Sequence, residues 1–285
     1  MSEFDAWIGR KARATDRVDE ALATRWLATF DLKAGSAPLP QGIHFALCTP
    51  NASSSDLSED GHPARDESPD SFLPPFPMPR RMWASSAIEF HAPIAVGSNI
   101  ERISRVASIS EKTGSSGKLA FVNIAHETRA DGALAVSETQ TVVYRDAAAP
   151  DAPLSPPALG DTAFDPSGWD AHRALTPEPR LLFRYSALTF NTHRIHYDAP
   201  YARNVERYRG LVVHGPLTAS LLLQLAASEL GNNAFKSFEF RGVSPAIANE
   251  TLHLVTRKGD EGAYEIGAFA DDGRKVMSAK ARTGV

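Results

Sequence analysis

The chain has 285 residues, 42% of them hydrophobic, and a formal net charge of −4 at pH 7. This composition excludes a disordered chain, and the scattered distribution of its arginines argues against nucleic acid as a partner. The single cysteine, Cys48, excludes an internal disulfide framework and a zinc site made of cysteines. No window approaches the roughly 20 apolar residues that span a bilayer, so we expect a cytoplasmic protein without a membrane partner.

The first half of the sequence predicts one helix followed by an antiparallel meander. Thr15 or Asp16 is positioned to cap a helix whose apolar residues recur at helical spacing from Val18 to Phe30. Residues 35–80 are rich in proline, serine and aspartate, which predicts an ordered loop packed over a surface. Turn residues then separate four predicted strands, at residues 83–91, 99–112, 118–130 and 134–145.

The second half repeats this order after a proline-rich stretch. Residues 147–180 have the composition of a linker, and a strand is predicted at 182–190. A long apolar helix follows at 216–230, and further strands are predicted at residues 235–243, 251–258, 262–270 and 274–283. Asp131-Gly132 and Asp272-Gly273 are hairpin signals between the last two strands of each half. The recurring order predicts a duplicated α+β module.

A short polar segment ahead of the long helix carries the candidate chemistry. His196 is a residue type suited to general acid/base catalysis near neutral pH. Asn191 can hold a water molecule or a carbonyl but cannot accept a proton, and a turn-forming role is the alternative. Gly215 begins the helix, where free N–H groups and a partial positive charge can stabilise an oxyanion. We therefore predict Asn191, His196 and Gly215 as the catalytic residues; a plain helix start is the alternative for Gly215.

Metal binding is the competing interpretation of the same segment. His193 and His196 form an H-x-x-H pair, and Asp198 and His214 are near in sequence. Zinc accepts such ligands, but no glutamate lies between the two histidines on a predicted helix, as the common metalloprotease motif requires. We therefore predict no metal, and assign His193 and Asp198 to stabilising the loop. His193 and His214 are also predicted to bind substrate, and holding the turn is the alternative for His214.

Arginines next to this segment are candidates for binding an anionic substrate. Arg194 lies within the segment, and Arg209 follows it before the helix. Arginine binds carboxylates and phosphates well through paired N–H groups, so we predict that both contact substrate. The alternative for each of these arginines is an ordinary charge on the protein surface.

These residues resemble the signature of the MaoC-like, R-specific enoyl-CoA hydratases, a family of hot-dog folds. That signature runs Asp-x-Asn-Pro-aliphatic-His, followed by His-Gly ahead of the long central helix. Residues 191–196 and His214-Gly215 occupy the corresponding places, and the aliphatic residue and the histidine match. Asn191, His193 and Arg194 replace the Asp, Asn and Pro of the signature. With no carboxylate at this position, His196 would carry the base function nearly alone.

Four further segments resemble a two-domain branch of this family: residues 72–83, 138–145, 190–198 and 211–217. The branch includes mesaconyl-C4-CoA and itaconyl-CoA hydratases and the type 2 hydroxyacyl-thioester dehydratases. The resemblance implies an α+β double hot dog, in which two antiparallel sheets each wrap a long helix. It also implies a division into a non-catalytic N-terminal hot dog, a linker and a catalytic C-terminal hot dog, at residues 1–146, 147–180 and 181–285.

The resemblance implies a hydro-lyase that adds water reversibly to the 2,3 double bond of a short branched or dicarboxylic enoyl-CoA. No cofactor is expected, since coenzyme A is part of the substrate, and a homodimer is expected by analogy. Two alternatives stay open. One is a dehydratase of straight-chain 3-hydroxyacyl thioesters, and the other is a thioesterase or acyl-CoA-binding protein that does not hydrate, because a fold alone does not fix chemistry.

Overall fold

The computed structural model describes residues 3–33, 38–114 and 117–284. The first half contributes β1 (Lys11–Arg17), α1 (Glu20–Thr29), β2 (Arg80–Phe90), β3 (Asn99–Gly114), β4 (Gly117–Ala130) and β5 (Ala133–Arg145). The second half contributes β6 (Ala171–Leu175), α2 (Pro179–Thr189), α3 (Ala199–Asn204), α4 (Gly215–Leu230), β7 (Phe235–Gly242), β8 (Leu252–Lys258), β9 (Ala263–Ala270) and β10 (Lys275–Thr283). Short 3-10 turns lie at Glu3–Trp7, Ile43–Ala46, Ser54–Asp56 and Arg194–His196.

All the described strands belong to one antiparallel sheet, in the order β1-β3-β4-β5-β2-β7-β10-β9-β8-β6. Each half has the same internal order, read outward from the centre, so the second half repeats the first about the β2–β7 junction. At that junction Ser86 lies opposite Phe240 and Ala87 opposite Glu239. The predicted α+β double hot dog is confirmed, with the two predicted sheets fused edge to edge into one.

The hairpin between β4 and β5 forms where the sequence predicts it. Asp131 and Gly132 have φ angles of 48° and 85°, the left-handed values that a two-residue hairpin turn requires. Gly273, with φ of 80°, follows Asp272 at the equivalent turn between β9 and β10. The predicted strands of both meanders are therefore present, with ends that differ by a few residues.

Helix α4 is the long helix predicted from the apolar run, and the sheet of the second half encloses it against β8 and β9. Leu217 and Leu222 have no exposed surface, and Ser220 satisfies its hydroxyl by donating to the Pro216 carbonyl. The described part of the first half has no counterpart of this length. Helix α1 has ten residues and packs on α2, so only the second half wraps a long helix.

The start of α1 differs from the prediction. Thr15 and Asp16 are part of β1, which pairs with β3 at the sheet edge, and so they cannot cap a helix. Asp19 takes that role, because its carboxylate accepts the Leu22 backbone N–H at 2.6 Å. The predicted helix is present, but the polar sequence of β1 gave no strand signal, so its last residues were taken as the start of the helix.

Two predictions around the linker are wrong. Residues 182–190 are not a strand, because Pro179 starts α2 and Leu182, Tyr185 and Leu188 bury one helical face. Residues 171–175, assigned to the linker, form β6, which pairs with β8 as the outer strand of the second half. A polar edge strand with one partner gives little sequence signal.

One hydrophobic core runs through both halves and explains why they form a unit. Trp26 and Ile88 of the first half lie in the same buried cluster as Leu222 and Phe238 of the second. A smaller cluster lies under the proline-rich loop, where Phe76 packs on Tyr144 with ring centroids 4.9 Å apart. The prediction that this loop packs over a surface is thus correct. No helix in the described ranges is long and apolar enough to cross a membrane.

We predict that Phe238→Ala destabilises the whole protein. Phe238 is fully buried on β7, beside the β2–β7 junction, so its removal leaves a cavity that costs about 3–5 kcal/mol of unfolding free energy. Denaturant unfolding should show one transition at lower denaturant. Phe183→Ala is the matched control, since Phe183 is 68% exposed and its loss should change the free energy by less than about 0.5 kcal/mol. Two separate transitions would contradict the shared core.

Candidate active site

The candidate site lies at the start of α4, where the segment of residues 190–198 packs on it. We call this segment the site loop. Helix α2 ends as Phe190 adopts a φ of 48°, which turns the chain toward α4. The loop then makes the short 3-10 turn that carries His196, and Asp198 caps α3 by accepting the Tyr201 backbone N–H at 3.0 Å. Both ends of the loop are therefore fixed by local hydrogen bonds.

His196 is held with a defined tautomer. Its Nδ1 lies 2.7 Å from the backbone carbonyl oxygen of Val212, an acceptor only, so Nδ1 carries the proton and Nε2 carries the lone pair. Burial, and then the neighbouring His193, lower the pKa of His196 to about 3. His196 is therefore a neutral imidazole at physiological pH, with Nε2 available to accept a proton.

The His214 ring packs directly against the ring of His196. The two rings stack with centroids 3.5 Å apart and an interplanar angle of 19°. Nε2 of His214 lies 2.9 Å from the Ser186 hydroxyl of α2, and burial lowers its pKa well below the ordinary value. Two imidazoles this close cannot both be charged, so His214 acts as a neutral platform that orients His196 and the start of α4.

Gly215 is the first residue of α4 and leaves its N-terminal end open. The position that a Cβ would take has only the Trp83 carbonyl oxygen of β2 nearby, at 4.0 Å. The first N–H groups of a helix have no acceptor within the helix, so a ligand oxygen at this end receives hydrogen bonds and the favourable dipole. The site thus combines a proton acceptor on the site loop with an oxyanion-binding helix start.

Asn191 builds the turn of the site loop. Its side-chain Oδ1 accepts the His193 backbone N–H at 2.9 Å, and its own N–H donates to the Ser186 carbonyl oxygen at 2.9 Å. This is the turn-forming role that the sequence analysis kept as an alternative. Holding the attacking water with the side-chain amide stays a prediction for Asn191.

Both predicted substrate-binding arginines are engaged within the protein. Arg194 pairs with Asp198 at 2.8 Å and its guanidinium lies 4.0 Å from the Tyr201 ring centroid. Arg209 pairs with Glu250. The structure does not bring either of them to His196 as an unpaired cation, and their contact with substrate stays a prediction.

Arg81 and Trp83 of β2 border the site, although the sequence analysis assigned them no role. They are two residues apart on one strand, which places them on the same face. The Arg81 charge acts on the pKa of His193, and no ion pair forms between Arg81 and a carboxylate of the described residues. Their one signal in the sequence is that both lie in the segment of residues 72–83, which resembles the two-domain branch of the family.

The proline-rich loop of the first half also contributes residues to the site that the sequence did not predict there. Residues 58–62, which we call the docking loop, contact the site loop. Arg194 donates its backbone N–H to the Asp60 carbonyl oxygen at 2.8 Å, and Thr192 donates its hydroxyl to the Gly61 carbonyl oxygen at 2.5 Å. The His62 ring faces the His193 ring with centroids 4.1 Å apart. The His193 ring therefore lies between His62 of the docking loop and His196 of the site loop.

The ligand atoms of Asp60, His62 and His193 lie within 4.8 Å of one another, which makes these residues a candidate metal site. His62 Nδ1 already makes a 2.8 Å hydrogen bond to Asp60, and the two imidazole rings lie face to face, 36° from parallel. A tetrahedral ion needs ring lone pairs that converge on one point. The arrangement fits a hydrogen-bonded pair stacked on a third ring better than a ligand set.

Comparison with known proteins places the chain in a family. Over residues 42–248 the sequence matches the family described as hydroxyacyl-thioester dehydratase type 2. The chain belongs to this family. A relative from Chloroflexus aurantiacus named mesaconyl-C(4)-CoA hydratase is 40% identical over 291 residues, covering 100% of both chains. The protein is therefore an enzyme of the hydro-lyase class, as the site-loop resemblance implied.

Solved structures support the fold independently. A MaoC-like dehydratase of Phytophthora capsici superposes with a TM-score of 0.72 at 13% identity, covering 99% of both chains. A Mycobacterium tuberculosis protein described as a double hot dog superposes with a TM-score of 0.56 at 15% identity, covering 97% of this chain and 96% of that one. The chain therefore shares its fold with proteins of low sequence identity, one of which is described as a double hot dog.

We predict that Gly61→Ala separates the docking loop from the site loop. A Cβ on Gly61 would lie 1.9 Å from the Thr192 carbonyl oxygen, so the two backbones cannot keep their contact. Gly97→Ala is the matched control, because Gly97 has a similar φ of 93° but open space around it, and costs only the backbone penalty of about 1–2 kcal/mol. Gly61→Ala should lower the unfolding free energy more and also reduce turnover. Equal effects of both variants would contradict the tight contact.

Proposed function

We propose that this dehydratase-family enzyme adds water reversibly to the 2,3 double bond of a dicarboxylic C5 enoyl-CoA. The observation that carries the proposal is that His196, which has its lone pair on Nε2, stacks on His214 immediately before the start of α4 at Gly215. The full-length likeness to a protein named mesaconyl-C(4)-CoA hydratase supports this substrate class. The catalytic roles of Asn191, His196 and Gly215 are part of the proposal.

In the proposed addition, His196 Nε2 takes a proton from water as the water oxygen bonds to C3. The electron pair of the double bond moves toward the thioester. The thioester oxygen then accepts a hydrogen bond from the Gly215 N–H and is stabilised by the partial positive charge at the start of α4. The enolate then takes a proton at C2 from His196, and the thioester is restored. The imidazole begins and ends neutral, so one group serves both proton transfers.

The environment of His196 suits the second transfer especially. Because burial lowers its pKa to about 3, the imidazolium that forms is a strong acid and returns its proton readily to carbon. The same burial makes neutral His196 a weaker base for the first transfer. A nearby negative charge that stabilises the imidazolium would therefore speed the step that forms it.

A dicarboxylic substrate carries a second anionic group, and Arg81 is the cation that we propose receives it. Arg81 is half-buried, shares a strand face with Trp83, and forms no ion pair with a carboxylate of the described chain. Arg194 and Arg209 are already paired, so their binding of substrate carboxylate or coenzyme A phosphates would require exchange of partners.

We predict that His196→Ala lowers hydration by about 10²–10⁴-fold, the usual range for a general acid/base group. Loss of the enoyl-thioester absorbance reports hydration, and a thiol reagent reports hydrolysis. Wild-type activity should show no acidic limb from His196 between pH 5 and 8, since its pKa of about 3 keeps it neutral there. His91→Ala, at an exposed histidine, should be neutral. Near wild-type hydration by His196→Ala would reject the assignment, and thiol release would favour a thioesterase.

We predict that Arg81→Ala raises KM for mesaconyl-C4-CoA about tenfold or more and leaves KM for crotonyl-CoA nearly unchanged. The lost free energy corresponds to a charge-assisted hydrogen bond to the substrate carboxylate, about 1.5–3 kcal/mol. Arg105→Ala, which removes an exposed arginine of β3, is the matched control. Equal effects on both substrates would favour the straight-chain dehydratase alternative.

We further infer that coenzyme A enters only as part of the substrate, and that the chain acts in the cytoplasm as a homodimer. The substrate inference follows from the names of the family and the relative. The cytoplasmic location and the homodimer stay predictions, which cell fractionation and light scattering respectively would check.

A further inference from the structure

The docking loop contains a carboxylate–imidazole pair that the proposed mechanism leaves unused. His62 Nδ1 lies 2.8 Å from Asp60 Oδ2, inside the docking loop. Their side chains are 22% and 18% exposed, respectively, so both are largely shielded. The His62 ring faces His193, and the His193 ring meets His196 edge-on at 5.5 Å. The pair is thus two ring contacts from the proposed acid/base group.

The loop geometry keeps Asp60 ionised. Its Oδ1 accepts the His62 backbone N–H at 2.9 Å and the Ser58 hydroxyl at 2.5 Å, and its Oδ2 faces His62 Nδ1. Burial alone would raise the pKa of the Asp60 carboxyl, but the hydrogen bonds from His62 and from the Ser58 hydroxyl lower it well below its usual range. An ionised carboxylate only accepts, so it holds the His62 proton on Nδ1.

The site loop has one carboxylate, Asp198, and it is already paired with Arg194. Asn191 is a neutral amide, and burial lowers the pKa values of His193, His196 and His214, so all three rings are uncharged at neutral pH. The neighbouring His62, His214 and Arg81 lower the pKa of His193 further, and His62 also lowers the pKa of His196. Among the described groups that act on His193, the carboxylate of Asp60 alone favours the protonated state.

We propose that Asp60 and His62 form the carboxylate–imidazole pair of this active site, supplied by the opposite half of the chain and acting on His196 through His193. This inference deepens the proposed function and rests on it. Asp60 and His62 are positioning residues in this account, since neither touches the reacting atoms. His62 fixes the ring of His193, and the negative charge of Asp60 offsets the positive charge that appears on His196 during the addition.

No additional chemical step is required by this role. His196 Nε2 still takes the proton from water, and His196 still donates the proton that C2 receives. The proton between Asp60 and His62 stays on His62 Nδ1 throughout. The effect is on the energy of the imidazolium intermediate, as in other carboxylate–histidine pairs that orient an imidazole and stabilise its charged form. The first half of the chain then contributes to turnover, rather than only lining the acyl pocket.

Charge and shape at Asp60 can be separated by two substitutions. Asp60→Asn keeps the shape but removes the charge, and its NH2 group favours a proton on the wrong nitrogen of His62. Asp60→Glu keeps the charge but adds a methylene. An electrostatic pair predicts that kcat falls about 10–100-fold in Asp60→Asn, the range seen when partners of an imidazole are removed, and that Asp60→Glu retains more activity than Asp60→Asn. KM should change little in either.

Two matched controls complete the series. Glu59→Gln removes the adjacent exposed carboxylate, which makes no side-chain contact with the pair, and should leave kcat within about twofold. Thr192→Val removes the hydroxyl that donates to the Gly61 carbonyl, which weakens docking but retains the charge. It should cost less kcat than Asp60→Asn. His62→Gln should match Asp60→Asn, because the charge then has no ordered imidazole to act through.

Several outcomes would overturn the proposal. If Asp60→Asn turns over faster than Asp60→Glu, or matches Thr192→Val, the pair serves only to dock the loop. If a chelator abolishes wild-type activity and zinc restores it, the same three side chains are a ligand set instead. If wild-type protein hydrates no enoyl-CoA, the proposed function fails, and ¹⁵N NMR of the histidines still tests the pair. The wild-type spectrum should then show His62 protonated on Nδ1, and a mixture of tautomers would overturn the pair.

Discussion

The pairing of β2 with β7 is the interaction on which the arrangement of this site depends. It joins two five-stranded halves into one sheet and sets the β2 strand, with Trp83, across from the start of α4. The site is therefore built at a junction. The second half contributes the site loop and the helix dipole, while the first contributes one wall and the docking loop.

What the sequence made predictable was the local part of this architecture. The helix α4 and the hairpin at Asp131-Gly132 were correct, because apolar periodicity and turn chemistry act over a few neighbouring residues. His196 and Gly215 could be proposed as site residues for the same reason, since a motif and a helix start are contiguous in sequence. The segment 182–190 was misassigned because its mixed apolar and polar residues also fit a helix with one buried face.

The docking loop was beyond sequence reasoning for a physical reason. Gly61 meets Thr192 across 131 positions of sequence, and nothing in the local pattern of either segment signals that contact. Asp60 and His62 read as ordinary residues of a polar loop until the fold brings them against His193. The ion pair between Arg194 and Asp198 was not predicted either. Asp198 was expected to stabilise the loop, but no partner was predicted for it.

The fusion of the two halves has a consequence for how this protein behaves in a crowded solution. Two separate five-stranded sheets would present four unpaired edges, whereas the joined sheet presents two, at β1 and β6. Both outer strands are short, with seven and five residues, and β1 carries Lys11, Arg13 and Arg17 along its length. Short, charged outer strands resist the addition of a strand from another molecule. Fusion of the two sheets therefore halves the number of edges at which self-association into aggregates can begin, and the same fusion creates the junction at which the candidate site lies.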